Sequence, residues 1–404
     1  MTPETFLMAR DRVHFAFLNL GHFFDHLLLL VFATVAALTL TREWDMTYAE
    51  LIPYATPALI AFGLCALPAG WLADRWSREG MMLVFFLGMG ASACATSFAT
   101  TPIEMAMGLF AIGVFGAIYH PVGLALVIQG RERTGVPLAV NGVFGNLGVA
   151  CAALFSGLLV DHSGWQAAFI WPGVATFIIG IGYAGFLYLG SRHPLTQEAD
   201  AVKKKQAGQI KVDSAVFKRI LAIVFFSTAL GGLIFQSTTF ALPKVIDEVL
   251  ADIAVSASAV GWYAFVVFAA ASVGQLIVGF LVDRWSLKWV FLIVAAFQVL
   301  FFWVMIGLSG MLALSVAVAF MLVVFGQIPI NDVLIGRVTR SEWRSRVFAA
   351  RYLITFSVSA TAVPMIAWIH AGWGFDLLFA LLAVVAAMIF FAVVLLPRAL
   401  APAA

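Results

Sequence analysis

Gly70-Trp71-Leu72-Ala73-Asp74-Arg75-Trp76-Ser77-Arg78-Glu79 is the dense charged cluster that separates two long apolar runs in the first hundred residues. It returns 209 residues later as Gly279-Phe280-Leu281-Val282-Asp283-Arg284-Trp285-Ser286-Leu287-Lys288. Two further pairs keep nearly the same offset. Val114-Phe115-Gly116-Ala117-Ile118 matches Val324-Phe325-Gly326-Gln327-Ile328, and His162-Ser163-Gly164-Trp165 matches His370-Ala371-Gly372-Trp373. The chain is therefore a tandem of two related halves. In each copy of the cluster, glycine lets helices approach closely, and the Asp-Arg pair sits where a helix leaves hydrocarbon. An aspartate there needs a partner or a helix N-terminus, because unpaired charge is costly at that depth.

The runs on either side define the class. Of 404 residues, 63% are hydrophobic and only 11% charged, far more apolar surface than a soluble core buries. Apolar runs of spanning length fall near 13–40, 48–73, 80–99, 103–128, 135–160, 166–190, 217–243, 258–282, 288–308, 311–336, 347–370 and 374–396. The expected fold is an all-α membrane protein of twelve transmembrane helices in two pseudo-symmetric bundles. Residues 1–190 form the first six-helix bundle, 191–216 a cytoplasmic linker carrying Lys203-Lys204-Lys205 and Lys211, and 217–404 the second bundle. With both termini cytoplasmic, every Lys and Arg except Arg42 and Lys244 lies on or near the inner face. Glu43, Asp45, Glu50, Asp247 and Glu248 are among the acids outside. This is the positive-inside pattern of a multi-pass protein of the cell inner (cytoplasmic) membrane. The basic residues face the lipid bilayer's inner leaflet and imply no nucleic acid.

The first span follows Arg10-Asp11-Arg12 without a small-residue cleavage site and reads as a retained helix. Cys65, Cys94 and Cys151 stand apart inside spans and form no disulfide or CxxC framework. No Walker motif, nucleophile–base set or cofactor fingerprint occurs, so the reading is a non-enzyme with no cofactor.

The cluster Gly-x-Leu-Ala-Asp-Arg-x-x-Arg resembles the loop 2–3 signature of the major facilitator superfamily, with the weaker loop 8–9 copy in the second half. Ser77 and Ser286 stand where the family usually has glycine. The resemblance implies that Asp74, Arg75, Arg78, Asp283 and Arg284 control a cytoplasmic latch between the second and eleventh helices. It also implies a ligand site near the midplane, between two six-helix repeats. His120-Pro121, followed by Asn141-Gly142-Val143-Phe144-Gly145-Asn146-Leu147-Gly148, looks like the fosmidomycin-resistance-type branch of drug exporters. So does His22-Phe23-Phe24-Asp25. That likeness implies proton-driven export of a small organic compound. The glycine stripe of the fifth span is similar to that of antiporters but lacks their proline, and it serves tight helix packing equally well.

The intramembrane polar residues supply the candidate site. Asn19, His22, Asp25 and His26 share one stripe of the first helix at ~100° per residue. Asp25 lies some ~20 Å into the span at ~1.5 Å per residue. A carboxyl at the midplane is expensive to ionise and is a functional candidate by default. Asp25 is the expected proton carrier, with His22 and His26 as titrating partners. Substrate contacts are expected from Asn19, His22, Asp25, His26, His120, Asn141, Asn146, Gln236, Gln327 and Asn331. Asp332 and Arg351 are expected to sit shallowly near the cytoplasmic face and to pair as an inner gate, or else to snorkel to water. An alternative is that His22, Asp25, His26 and His120 bind a divalent transition metal or its chelate as cargo. The expected partners are a small-molecule substrate and protons, and a monomer suffices for the pathway.

Overall fold

The computed structural model describes residues 3–129, 131, 135–191, 214–339 and 341–397. Of the linker expected over 191–216, residues 192–213 lie outside the described residues. Among the described residues the regular elements are all helical. The apolar helices of membrane-crossing length are α1 (Arg10–Glu43), α2 (Tyr48–Arg75), α3 (Arg78–Thr96), α4 (Pro102–Ile128), α5 (Val136–Ser163), α6 (Trp165–Gly190), α7 (Ala215–Val249), α8 (Ala257–Arg284), α9 (Leu287–Met305) and α10 (Gly310–Ile335). An eleventh apolar stretch, Leu353–Val394, runs through α11 (Ser341–Ser359) and α12 (Ala362–Val394). The chain is a multi-pass integral membrane protein.

Within α12 the helix breaks at Gly374, whose φ of 68° is accessible to glycine at little cost. The break falls where one expected span ends and the next begins. In the first half the equivalent turn uses Gly164, φ 82°. The repeat aligned Gly164 with Gly372, so the turn has moved two residues along the second copy. α4 is also less regular than expected. Its α-helical part ends at Gly116, and a π-helical turn covers Tyr119–Gly123 before the α-helix resumes at Leu124. Pro121 has no N–H to donate to the ladder, and a wide turn absorbs the defect.

Local chemistry sets several helix starts. Thr47 with Glu50 and Thr101 with Glu104 form capping boxes at α2 and α4. Ser77, the departure from the family's glycine, caps α3 by accepting the Gly80 N–H at 2.9 Å. Cys65, Cys94 and Cys151 are free thiols.

In the first half α1 packs on α5, α2 on α4 and α3 on α6. In the second half α8 packs on α10 and α9 on α12, while α7 packs on α11 and α12. The halves meet most extensively along α5 with α8, and also along α2 with α11 and α12 and along α1 with α7. At the end remote from the repeated Asp-Arg cluster they are closed on each other. Asp161, at the end of α5, accepts the N–H groups of Ala257 and Ser258 at the start of α8, at 3.2 and 2.7 Å. Gly157 and Gly261 permit this approach, since a methyl group on either would overlap the carbonyl of Ala257 or crowd that of Ala153. Tyr48 of α2 packs edge-on against His370 and Phe375 of α12, and His370 Nε2 lies 2.9 Å from Glu248 of α7. At the cluster end three of the basic side chains contact residues of their own half. Arg78 donates to Asp74 at 2.8 Å, Arg75 lies over Trp71, and Arg284 lies over Phe280.

Candidate functional site: a cavity between the halves

A cavity of ≈ 460 Å³ lies between the two halves. From the first half it is lined by His22, His26, Phe62, His120, Asn141 and Asn146, among others. From the second it is lined by Gln236, Gln275, Gln327, Asn331, Asp332, Arg351 and Phe356. An apolar pocket with a few converging polar groups is the usual form of a small-molecule site.

Three imidazoles meet in its first-half wall. His22 and His26 stand one turn apart on α1, and His120 comes from the π-helical turn of α4. Ring centroids are 5.0 Å apart for His22–His26, 5.4 Å for His22–His120 and 5.5 Å for His26–His120. The wide turn matters here because it swings His120 off the regular helix path at the point where α4 faces α1. Behind the imidazoles lies Asp25, 0% exposed. Its Oδ2 is 3.6 Å from His120 Nε2, and neither carboxyl oxygen has a hydrogen-bond partner among the described residues. Gly116 makes room for it, since a Cβ there would stand 3.2 Å from Asp25 Oδ1.

Asn141 of α5 holds this wall together. Its carbonyl is 2.8 Å from His22 Nδ1, so Nδ1–H donates to it and His22 Nε2 is left with the lone pair. Its amide nitrogen donates to Asn19 Oδ1 at 2.9 Å, and Tyr119 donates to the Leu18 carbonyl at 2.7 Å beside it. The glycines of α5 serve these contacts. A Cβ at Gly145 would come 2.6 Å from His22 Nε2, and one at Gly148 would overlap the Phe23 carbonyl. Gly145 and Gly148 are the bearing surface of α1, while Gly142 and Gly157 face α8.

The second-half wall carries amides and one cation. Arg351, 7% exposed, donates through Nη1 to Asp332 Oδ1. Asp332 is partly open, so the pair sits at the cavity edge with its guanidinium buried. Both side chains line the cavity, where the spacing had placed them at shallow depth beside water. Gln298 donates to Gln327 Oε1 at 2.8 Å, and Ser227 donates to Asn331 Oδ1 at 3.3 Å. Asn146 donates across the halves to Gln275 Oε1 at 2.5 Å.

The structure thus brings His22, His26, His120, Asn141, Asn146, Gln236, Gln327 and Asn331 to one cavity. Asn19 and Asp25, expected as substrate contacts, lie behind its wall: Asn19 is bonded to Asn141, and Asp25 is enclosed by α1 and α4. Sequence reading missed Tyr119, Phe62 and Phe356. The Phe62 and Phe356 rings meet edge-on across the halves at 5.0 Å. It also missed Asp161, which a membrane-edge acid after a glycine-bearing helix could have signalled as a cap.

The comparisons with known proteins agree with this architecture. The 4-hydroxybenzoate transporter PcaK of Pseudomonas putida is 26% identical over 48% of this chain and 46% of its own length. The niacin transporter NiaP of Acinetobacter baylyi is 26% identical over 50% and 48%. The chain spans about half the length of the curated relatives it matches. These relatives do not support the fosmidomycin-resistance branch. Among solved structures, a bacterial homolog of the human lysosomal transporter Spinster, inward-facing and occupied, superposes with a TM-score of 0.71. Identity is 13%, covering 95% of this chain and 93% of that one. The nucleoside transporter NupG gives 0.70 at 14% identity, covering 94% and 99%. The model of the Major Facilitator Superfamily matches residues 18–251, more than half of the sequence. With the paired clusters, the two halves and the cavity between them, this chain belongs to the major facilitator superfamily of transporters.

Proposed function

We propose that the protein is a secondary active transporter that carries a small organic anion with an aromatic body across the cytoplasmic membrane by alternating access, coupled to protons. The observation that carries this reading is the cavity itself. It offers one buried guanidinium, Arg351, paired with Asp332 among amides and phenylalanines. A carboxylate recognised by a bidentate guanidinium, with its ring held between Phe62 and Phe356, fits that wall. The compounds that name the relatives, 4-hydroxybenzoate, gallate and niacin, are aromatic carboxylic acids. Twelve spans fit the break at Gly374, and the termini and the linker over 191–216 are read as cytoplasmic. The structure is then inward-facing, closed on the outside by Asp161 and by Tyr48 with His370. The repeated Asp-Arg clusters form the cytoplasmic latch in this reading.

Asp25 is the proton carrier in this reading, and His120 is its link to the cavity. Export of a larger drug-like compound is the second reading. It is favoured by the tetracenomycin C resistance and export protein of Streptomyces glaucescens, 27% identical over 30% of this chain and 24% of its own length. The relatives give a metal cargo no support, and none is proposed. The test is proteoliposome transport of 4-hydroxybenzoate, nicotinate and a lipophilic cation under an imposed pH gradient of either sign. Transport should follow the gradient in wild type and lose that dependence in Asp25→Asn, with substrate binding retained. Gradient-driven transport that survives Asp25→Asn removes proton carriage from this residue.

A further inference from the structure

The three imidazoles are arranged for more than proton exchange. One ring nitrogen of each of His22, His26 and His120 lies within 4.8 Å of those of the other two. A zinc-type ion holds its imidazole nitrogens at ~2.0–2.1 Å, which sets them roughly 3.3 Å apart in tetrahedral geometry. Closing the difference takes about 1 Å of movement per ring, within reach of rotation about χ1 and χ2. The hydrogen bond from His22 Nδ1 to the Asn141 carbonyl is the outer contact that metal-bound histidines usually make, because it fixes the tautomer and turns the other nitrogen outward. A dication in a low-dielectric wall also needs negative charge close by. Asp25 supplies it, fully buried, with both oxygens lacking hydrogen bonds and one 3.6 Å from His120. The cavity that all three imidazoles line gives an ion a path to them and leaves room for a water as a further ligand.

We propose that His22, His26 and His120, with Asp25 behind them, form a binding site for a divalent transition metal of the zinc or cobalt kind in the first-half wall of the cavity. All of its ligands come from α1 and α4. The ion is therefore held by one half alone and is a bound ligand rather than a bridge between the halves. It occupies cavity wall that the substrate reading also uses, so metal and substrate should compete.

The experiment needs no transport and so stands or falls apart from the substrate reading. Detergent-purified full-length protein carrying a tag without histidine is titrated with CoCl2, and the visible d–d absorption of low-coordinate cobalt is followed. One equivalent should bind with an intense band, and equimolar ZnCl2 should abolish the band. His26→Gln and His120→Gln should each weaken binding at least tenfold, whereas His162→Gln and His370→Gln should leave it unchanged. Because the cavity variants could lose the fold, wild-type protein is also treated with diethyl pyrocarbonate, with and without ZnCl2, and its peptides are analysed by mass spectrometry. Zinc should protect His22, His26 and His120. Absence of the band in wild type, binding undiminished in both cavity variants, or equal labelling with and without zinc would overturn the proposal.

Discussion

Asp161→Ala should shift the resting conformation without damaging the fold. In the closed end Asp161 accepts the N–H groups of Ala257 and Ser258, the first two donors of α8. Ser256 accepts the next, from Ala259, at 3.1 Å. Asp161 is thus a cap supplied by the opposite half, and it exists only while α5 and α8 touch at that end. Replacing a capping side chain by alanine costs ~1 kcal/mol on average, and the exposure of this site argues against the upper range near ~2. Since the bond is absent once the end opens, the whole loss weights the closed state. About 1 kcal/mol shifts the ratio of closed to open molecules roughly fivefold. The assay is pulsed electron spin resonance between labels at Thr100→Cys and Val255→Cys, both exposed positions at that end, with the native cysteines replaced. The long-distance population should grow about fivefold over the short. Ser256→Ala is the control, because it weakens α8 in both states and should leave the ratio alone. A ratio for Asp161→Ala within twofold of wild type, in folded protein, would refute the idea that this cap holds the end shut.

Arg351→Gln should weaken binding of an aromatic carboxylate by roughly 30-fold, the ~2 kcal/mol of a charge-assisted hydrogen bond, with little change for a neutral analogue. Equilibrium dialysis distinguishes the two, and equal loss for both would assign Arg351 to structure. Gly145→Ala forces a methyl group to 2.6 Å from His22 Nε2 and so displaces the ring. It should cost ~1–3 kcal/mol, seen as a lower melting temperature, and an unchanged melting temperature would contradict the packing described. Asp74→Asn removes an exposed pair worth less than ~1 kcal/mol, so the melting temperature should hold. The resting population should nonetheless move toward the state open at the cluster end, and an unaltered label distance across that end argues against the latch.

How much of this was legible in the chain depends on what each residue's role requires. The repeat, the spans and the convergence of His22, His26 and His120 follow from spacing, because spacing fixes depth and helical face. The neighbour a side chain meets is not fixed by spacing. Asp25 shares a stripe with His22 and His26, yet it is enclosed at Gly116 while they reach the cavity. That difference is set by how closely α4 approaches α1. Spacing from the nearest arginines gives Asp332 and Arg351 a depth but not the cavity that both side chains line. Asp161 looked like one more membrane-edge acid. Its role depends on the α8 start being brought beside it by Gly157 and Gly261, 104 residues apart in the sequence, which is a tertiary fact. The move of the second turn from Gly372 to Gly374 shows the same limit, since two matching motifs need not place their backbone break at the same residue.

The two walls of the cavity differ in kind, and that difference bears on mechanism. Imidazoles and the buried carboxyl belong to the first half, whereas the guanidinium and most amides belong to the second. A transporter that couples two ligands needs the occupancy of one wall to be felt by the other, because a ligand shifts an equilibrium only through its differential interaction with the two states. The contact that can carry this here is aromatic. His120 stands 6.0 Å from Phe356 of α11, centroid to centroid, and Phe62 packs on the same ring. Phe356 lies little more than one helical turn beyond Arg351. Whatever moves His120, whether a proton passing to Asp25 or a metal drawing the imidazoles together, therefore presses on the helix that presents the guanidinium. Phe356→Ala should weaken substrate binding by removing the ring contact and, beyond that, uncouple the two walls. Asp25→Asn should leave binding measurable in the parent but change its affinity, and that change should vanish in Phe356→Ala. A double-mutant cycle of Phe356→Ala and Asp25→Asn on binding measures this directly, and additive effects would remove the ring from the coupling path.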